Sequence, residues 1–288
     1  MIRISFVGLL CILCMSADAF AQLQRKPAVL DEPVEVFLAQ SLITTGTAQN
    51  LGRGNINSTI MHNFDLVSTG YQEFWGLDAG ANVRLGIDVG LTDNLSVGIG
   101  RTSSEDNVDL RFKYTVLNQM ASGKIPVQLA IKGDVGINTQ EQPNFDFSTA
   151  ERLNYFGGLL VARRFNERFS AQIAPMISHF NMVVVDDATR SDLVNTHLAN
   201  GFGAEYRLND RHSFSFEYIA VLGDRSDDTF NPMALSWQID TGGHVFQIFV
   251  MNGNWFTEQH LIARTTDDFF AGDFRIGFNV NRVFGLKK

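Results

Sequence analysis

The chain has 288 residues, a formal net charge of -8, two cysteines, 45% hydrophobic and 19% charged residues. The acidic balance, with no basic tract, argues against a nucleic-acid partner. After residue 21 no run approaches the ~18 consecutive apolar residues of a membrane-spanning helix, so any crossing of a bilayer must use strands.

Residues 1–21 read as an export signal. Arg3 precedes the apolar run Ile4–Met15 (ISFVGLLCILCM), and Ala19-Phe20-Ala21 has the small-residue spacing of a cleavage site, placing the mature start near Gln22. A lipid-attachment site needs a small residue before its cysteine, whereas Cys11 and Cys14 each follow leucine. Both cysteines leave with the signal, so the mature chain is expected to lack disulfides and cysteine-ligated metals.

Residues 22–35 form a polar leader, too short for the plug domain of an energised transporter. Strand candidates follow at Val36–Leu42 and Asn57–Phe64, with a turn region (TTGTAQNLGRGN) between them. Ser68–Asp78 breaks the alternation and gathers Tyr71, Phe74 and Trp75 on a loop or short helix. Then Ala81, Val83, Leu85, Ile87 and Val89 alternate with Asn82, Arg84, Gly86, Asp88 and Gly90, and Leu95, Val97 and Ile99 resume after the turn Thr92–Asn94. Leu110, Phe112 and Tyr114 oppose Asp109, Arg111 and Lys113, and Val127, Leu129, Ile131 and Val135 oppose Gln128, Lys132 and Asp134. Hairpins pair Tyr155–Arg163 with Phe169–Ser178 and Leu198–Leu208 with His212–Leu222. The last strand candidates are Ala234–Ile239, Val245–Met251, Gln259–Arg264 and Phe274–Phe284.

These are twelve to fourteen strands, most longer than the ~5–6 residues usual in soluble sheets. No long helical stripe is available to cover a sheet face. A soluble sandwich would turn its apolar faces inward; an outer-membrane barrel turns them to lipid, with tilted strands of ~9–11 residues matching the apolar band. Strand length, the export signal and two unlike sets of connections favour the barrel. Tyr114, Tyr155, Phe165, Phe169, Tyr206, Tyr218 and Phe284 fall near strand ends, as interfacial girdles do. The expected fold is therefore all-β, a single antiparallel transmembrane barrel over residues 36–284 with a short tail at 285–288. By the usual orientation of such barrels, the short turns face the periplasm and the long loops the exterior.

Several stretches carry a resemblance: FWGLDAGANVRLGIDVGLTDNLSVGIGR (74–101), LRFKYTVLNQ (110–119), RLNYFGGLLVARRFNERFSAQIAPMISHFN (152–181), IDTGGHVFQIFVMN (239–252) and GDFRIGFNVNRVF (272–284). With Pro126-Val127, they resemble an uncharacterised family of β-barrel proteins from Bacteroidota defined by a domain of unknown function (DUF5777-like), over about Gln22–Phe284. The resemblance implies one outer-membrane barrel and no particular reaction. Outer-membrane barrels often end on an aromatic read by the barrel insertion machinery; here Gly285-Leu286-Lys287-Lys288 follow Phe284, which weakens that signal.

His244, after Gly242-Gly243, is the most conspicuous candidate. It is either a lumen ligand or proton-responsive group, or, the favoured reading, a turn-stabilising residue. His62, His179, His197, His212 and His260 form no short ligand motif, so neither metal nor cofactor is expected. Asp186-Asp187 and Asp227-Asp228, near Asp224, read as solvated loop acids. Arg84, Asp88, Asp109, Arg111, Lys113, Lys132, Asp134, Glu205, Arg207, Glu217 and Arg275 fall on the lumen face. There they either pair across strands or line a solute path. Ser178-His179 and His212-Ser213 are sequence neighbours on strands and point apart, so no catalytic pair and no enzyme is expected. Gly98 and Gly100 read as relief within the wall. The expected function is passage of a small solute across the outer membrane. The alternatives are a non-conducting scaffold or partner-binding component of an envelope complex, and a soluble periplasmic barrel holding an apolar ligand. Expected partners are outer-membrane lipid and the insertion machinery.

Overall fold

A computed structural model describes residues 31–141, 143, 146–182, 194–226 and 228–285. The signal, most of the leader, Asp186-Asp187 and Asp227 lie outside the described residues. Among those described, twelve antiparallel strands close into one barrel. They are β1 (Asn55–Leu66), β2 (Asn82–Gly90), β3 (Leu95–Thr102), β4 (Val108–Leu117), β5 (Gln128–Ile137), β6 (Leu153–Arg164), β7 (Phe169–Phe180), β8 (Thr196–Arg207), β9 (His212–Leu222), β10 (Met233–Asp240), β11 (Val245–Met251) and β12 (Arg275–Gly285). Every strand pairs with its sequence neighbours, and β12 returns to β1. Closure leaves no ladder edge unpaired, the condition for a sheet to stand in lipid.

Alternation decides which face is which. Adjacent residues of β4 differ completely in burial: Asp109 is 1% exposed and Leu110 63%. Leu85, Ile87, Ile99 and Phe112 share the outer wall with Leu110, while Arg84 and Lys113 are buried inside. A sheet with exposed leucines and buried charges is inverted relative to a soluble one. Short turns at 91–94, 165–168, 208–211 and 241–244 gather at one end with the 118–127 connection; at the other end stand 67–81, 103–107 and 252–274, together with the strand ends Ile137, Leu153, Phe180, Thr196, Leu222 and Met233.

Two strand expectations are corrected. Val36–Leu42 forms no strand of the barrel, because β1 pairs with both β2 and β12 and leaves no edge for it. The chain instead runs inward there, and Val36, Phe37, Leu42 and Ile43 are wholly buried. Gln259–Arg264 is not a strand either. It belongs to α1 (Glu258–Arg264), preceded by Thr257 in extended conformation, with Leu261 and Ile262 buried. Seven residues are too few for helical periodicity to stand out from alternation. Ser68–Asp78 does hold a short helical stretch, with a 3₁₀ segment over Val67–Glu73.

Candidate functional site

The lumen is occupied by two parts of the chain itself. Val34 N–H donates to Gln119 O (2.8 Å) at the short-turn end, and the chain then climbs into the barrel and reverses. Leu42 N–H donates to Thr45 O (3.0 Å) and Thr47 N–H to Gln40 O (2.9 Å), making a tight hairpin. Irregular backbone buried away from water needs partners for its polar groups, and the barrel wall supplies them. The Glu217 carboxylate accepts from the N–H groups of Ile43, Thr44 and Thr45 at 3.1–3.2 Å and from both threonine hydroxyls. Gln172 brackets the hairpin, accepting from Ala48 N–H (2.8 Å) and donating to Gly46 O (2.9 Å). Asn279 donates to Ile43 O (2.8 Å), Gln247 to Leu42 O (2.5 Å), and Lys113 to Thr47 O (3.1 Å) and Gln49 O (2.5 Å). At Gly203 of β8 a side chain would meet Leu42 Cδ1 at 2.0 Å, so glycine there makes room for the insertion.

The lumen wall has two characters. On β2–β5 it is charged: Arg84 meets Asp109 through two hydrogen bonds (2.6 and 2.7 Å), and Arg111 bridges Asp109 (3.1 Å) and Asp88 (2.9 Å). Lys132 holds Asp134 (2.9 Å) and, across the lumen, Glu258 of α1 (2.6 Å). On β6–β8 the inward residues Phe156, Leu160, Ala162, Ala174, Met176 and Ala199 are apolar and pack with Phe37, Leu42, Leu261 and Ile262 into one core.

The space left over is divided by α1. A mid-lumen cavity of about 80 Å³ touches Arg84, Asp88, Arg111, Lys113, Lys132 and Glu258. It shares Gln40 and Asn57 with a cavity of about 150 Å³ at the short-turn end. Beyond α1, at the long-loop end, opens a vestibule of about 640 Å³ lined by Glu105, Arg152, His197, Trp255, Arg264 and Arg275, among others. The helix is tied to the 103–107 turn by the Arg264–Glu105 ion pair. His260 stacks on Trp255 (4.6 Å between ring centres), and its Nε2 stands 3.7 Å from Glu105. Burial opposes the charge of Glu105, yet the facing His260 and Arg264 hold its carboxyl below the usual carboxylate range. Burial pushes the His260 imidazole below its ordinary value despite Glu105.

A family model for the membrane-bound β-barrel domain (DUF5777) matches residues 37–284. The chain belongs to that family. It is a membrane β-barrel, as its outer wall requires. No curated protein shows significant similarity to it. Among solved structures, it is similar to the NanC porin (8% identity, 81% of this chain and 99% of that one, TM-score 0.47). It is also similar to the KdgM porin (9% identity, 81% and 99%, TM-score 0.46) and to an outer membrane channel from Pseudomonas putida F1 (12% identity, 81% and 96%, TM-score 0.49).

The sequence candidates are now placed. Arg84, Asp109, Arg111 and Lys113 share the charged wall, whereas Glu217 and Lys113 grip the inserted hairpin. Arg275 stands apart, near the vestibule floor, paired with Asp267 and, at 3.6 Å, Asp65. Gly242, Gly243 and His244 form the β10–β11 turn. There Gly242 has φ 78°, Thr241 N–H donates to His244 O (3.0 Å), and the His244 ring stacks on outward-facing Phe246. His244 therefore sits at the lip of the lower cavity rather than inside the lumen. Ser178 faces inward and its neighbour His179 outward against Thr196, as strand geometry requires. Glu258, Gln172, Gln128 and Gln247 were not singled out by the sequence. One signal did exist: inward positions of β6–β8 include Phe156, Leu160, Ala162, Ala174, Met176 and Ala199, an apolar patch that requires something packed against it.

Proposed function

We propose that the protein is exported to the outer membrane and there passes a small polar solute through a narrowed bore. One observation carries this reading: the charged wall of β2–β5 borders a lumen cavity of about 80 Å³ instead of being wholly sealed by packing. Opposite charges paired along a wall stabilise the local field without closing it, and offer a polar surface for solute or ion contact. The vestibule would admit solute at the long-loop end, α1 and the hairpin would set the bore, and the lower cavity would release it. Purified protein in planar bilayers should show small, discrete conductance steps that scale with salt concentration. A membrane that stays silent over a wide voltage range would overturn the channel reading.

A specific observation favours the second reading, a closed barrel that scaffolds an envelope complex. Val36, Phe37 and Ile43 of the hairpin are wholly buried, as a permanent filling would be. Silent protein that co-purifies with a stoichiometric partner would support it. A soluble barrel is set aside by an outer wall on which Leu85, Leu110 and Ile99 stand exposed.

A further inference from the structure

At the long-loop end, over the β1–β12 seam, large aromatic side chains stand uncovered. Tyr71 is 77% exposed, Phe74 55%, Trp75 49% and Phe270 84%. Large apolar side chains left this exposed at one end of a barrel mark a surface that meets something other than water. The backbone holds them there. Phe74 and Trp75 take φ of 47° and 54°, the left-handed region that bulky residues avoid. Trp75 N–H donates to Gly70 O (2.7 Å), Asp65 N–H to Gly76 O (3.2 Å), and Val67 N–H to Phe274 O (2.9 Å). At Gly76, with φ 81°, a side chain would lie 2.3 Å from Asp65 O, so only glycine lets the loop fold back so closely. The rings of Phe74 and Trp75 are thus presented side by side, 5.8 Å apart, by an ordered loop.

Continuity with the outer wall identifies what they meet. His62 packs against Phe64 (4.5 Å) and Phe278 (5.1 Å) on the outward face of β1 and β12, and Phe274 and Phe269 (5.8 Å) carry this strip up to Phe270. Strand β1 has 12 residues. At ~3.3 Å per residue and a tilt of ~40° such a strand rises about 30 Å, little more than the ~25 Å apolar band. The loop therefore leaves the wall at the membrane surface, where Trp and Tyr are favoured because ring and polar edge each find their solvent. Glu73 and Asp78, both exposed, flank Phe74 and Trp75 in sequence and supply the polar edge that a headgroup layer accommodates.

We propose that Tyr71, Phe74, Trp75 and Phe270 form an aromatic foot that dips into the bilayer leaflet at the long-loop end, beside the strand pair that closes the barrel. Three tryptophans make this directly testable. Full-length protein is reconstituted in phosphatidylcholine vesicles carrying brominated acyl chains, which quench indole emission on contact. The double variant Trp237→Phe/Trp255→Phe leaves Trp75 alone. Trp237, on the outer wall, and Trp255, inside the lumen, serve as lipid-facing and shielded references in the two corresponding double variants. The foot predicts that Trp75 loses emission as Trp237 does, and more strongly with bromines near the headgroup than near the chain end. Trp75 emission unaffected by brominated lipid but lost to aqueous acrylamide would overturn the proposal, and would point to a protein partner or bare solvent. If a double variant fails to fold, the difference in quenching between the wild type and Trp75→Phe gives the same discrimination. Conductance has no part in this readout, so the foot and the channel can fail separately.

Discussion

The wall of β2–β5 and the wall of β6–β8 enclose one lumen and solve opposite problems. On the first, arginines, lysines and aspartates stand buried in mutual contact beside open space. On the second, alanine, leucine, methionine and phenylalanine pack against an inserted hairpin and a short helix. A barrel of this strand number can leave more interior than its own side chains fill. Here the chain fills part of it with the hairpin and α1 and leaves a charged wall beside a cavity of about 80 Å³. The outer wall exposes apolar side chains in both regions, so the asymmetry is confined to the lumen.

The two regions touch at Lys132, which reaches Glu258 of α1 and lies over the Phe156 ring. Lys132→Met leaves Asp134 and Glu258 buried without their cation, and removing one partner of a buried pair costs about 3–5 kcal/mol. The unfolding midpoint in denaturant, read by heat-modifiable gel mobility, should fall clearly, and α1 should become accessible to protease. On the apolar side, Leu42→Ala should cost about 3 kcal/mol, within the range for buried leucine truncations. That loss should appear as release of the hairpin and wider conductance, with barrel unfolding nearly unchanged. A smaller effect is expected from Glu217→Gln, about 2 kcal/mol through weaker charge-assisted hydrogen bonds to the hairpin tip. It should raise conductance in the same direction as Leu42→Ala.

The smallest expected effect is acid loosening of α1. His260 is held below its ordinary imidazole value, so its contribution to docking is full above that value and declines as pH falls below it. Glu105 is held below the ordinary carboxylate range, so its contribution is full above that range and is lost as pH falls through the lowered value. Both signs agree: Trp255 emission should change in two steps on acidification, the first below the ordinary imidazole range. Glu105→Gln should abolish the carboxylate step and move the His260 step to still lower pH, because the Glu105 carboxylate favours the charged imidazole.

Much of the barrel is legible in the sequence because lipid imposes strict alternation. Leu110 and Asp109 are next to each other and could face only opposite solvents. The twelve strands follow from this, most within a residue or two of their observed ends. The inserted segments escaped because their signals are local and ambiguous. Val36–Leu42 has the composition of a strand, and only closure of β1 onto β12 denies it an edge. Glu258–Arg264 spans too few residues to reveal its period. The charged wall was readable as lumen chemistry, yet Glu217 and Lys113 turn out to bind backbone of the same chain. Glutamines 128, 172 and 247 carry no motif. Their role exists only once the hairpin lies between them.

The most direct test of a partly filled, conducting lumen is single-channel recording on wild type and Leu42→Ala in the same bilayer. Small steps are expected from the wild type, larger ones from the variant, and an ion selectivity in both that shifts when Lys113 is replaced by methionine. Equal silence from both proteins, with the variant's hairpin shown by proteolysis to be released, would contradict a conducting lumen.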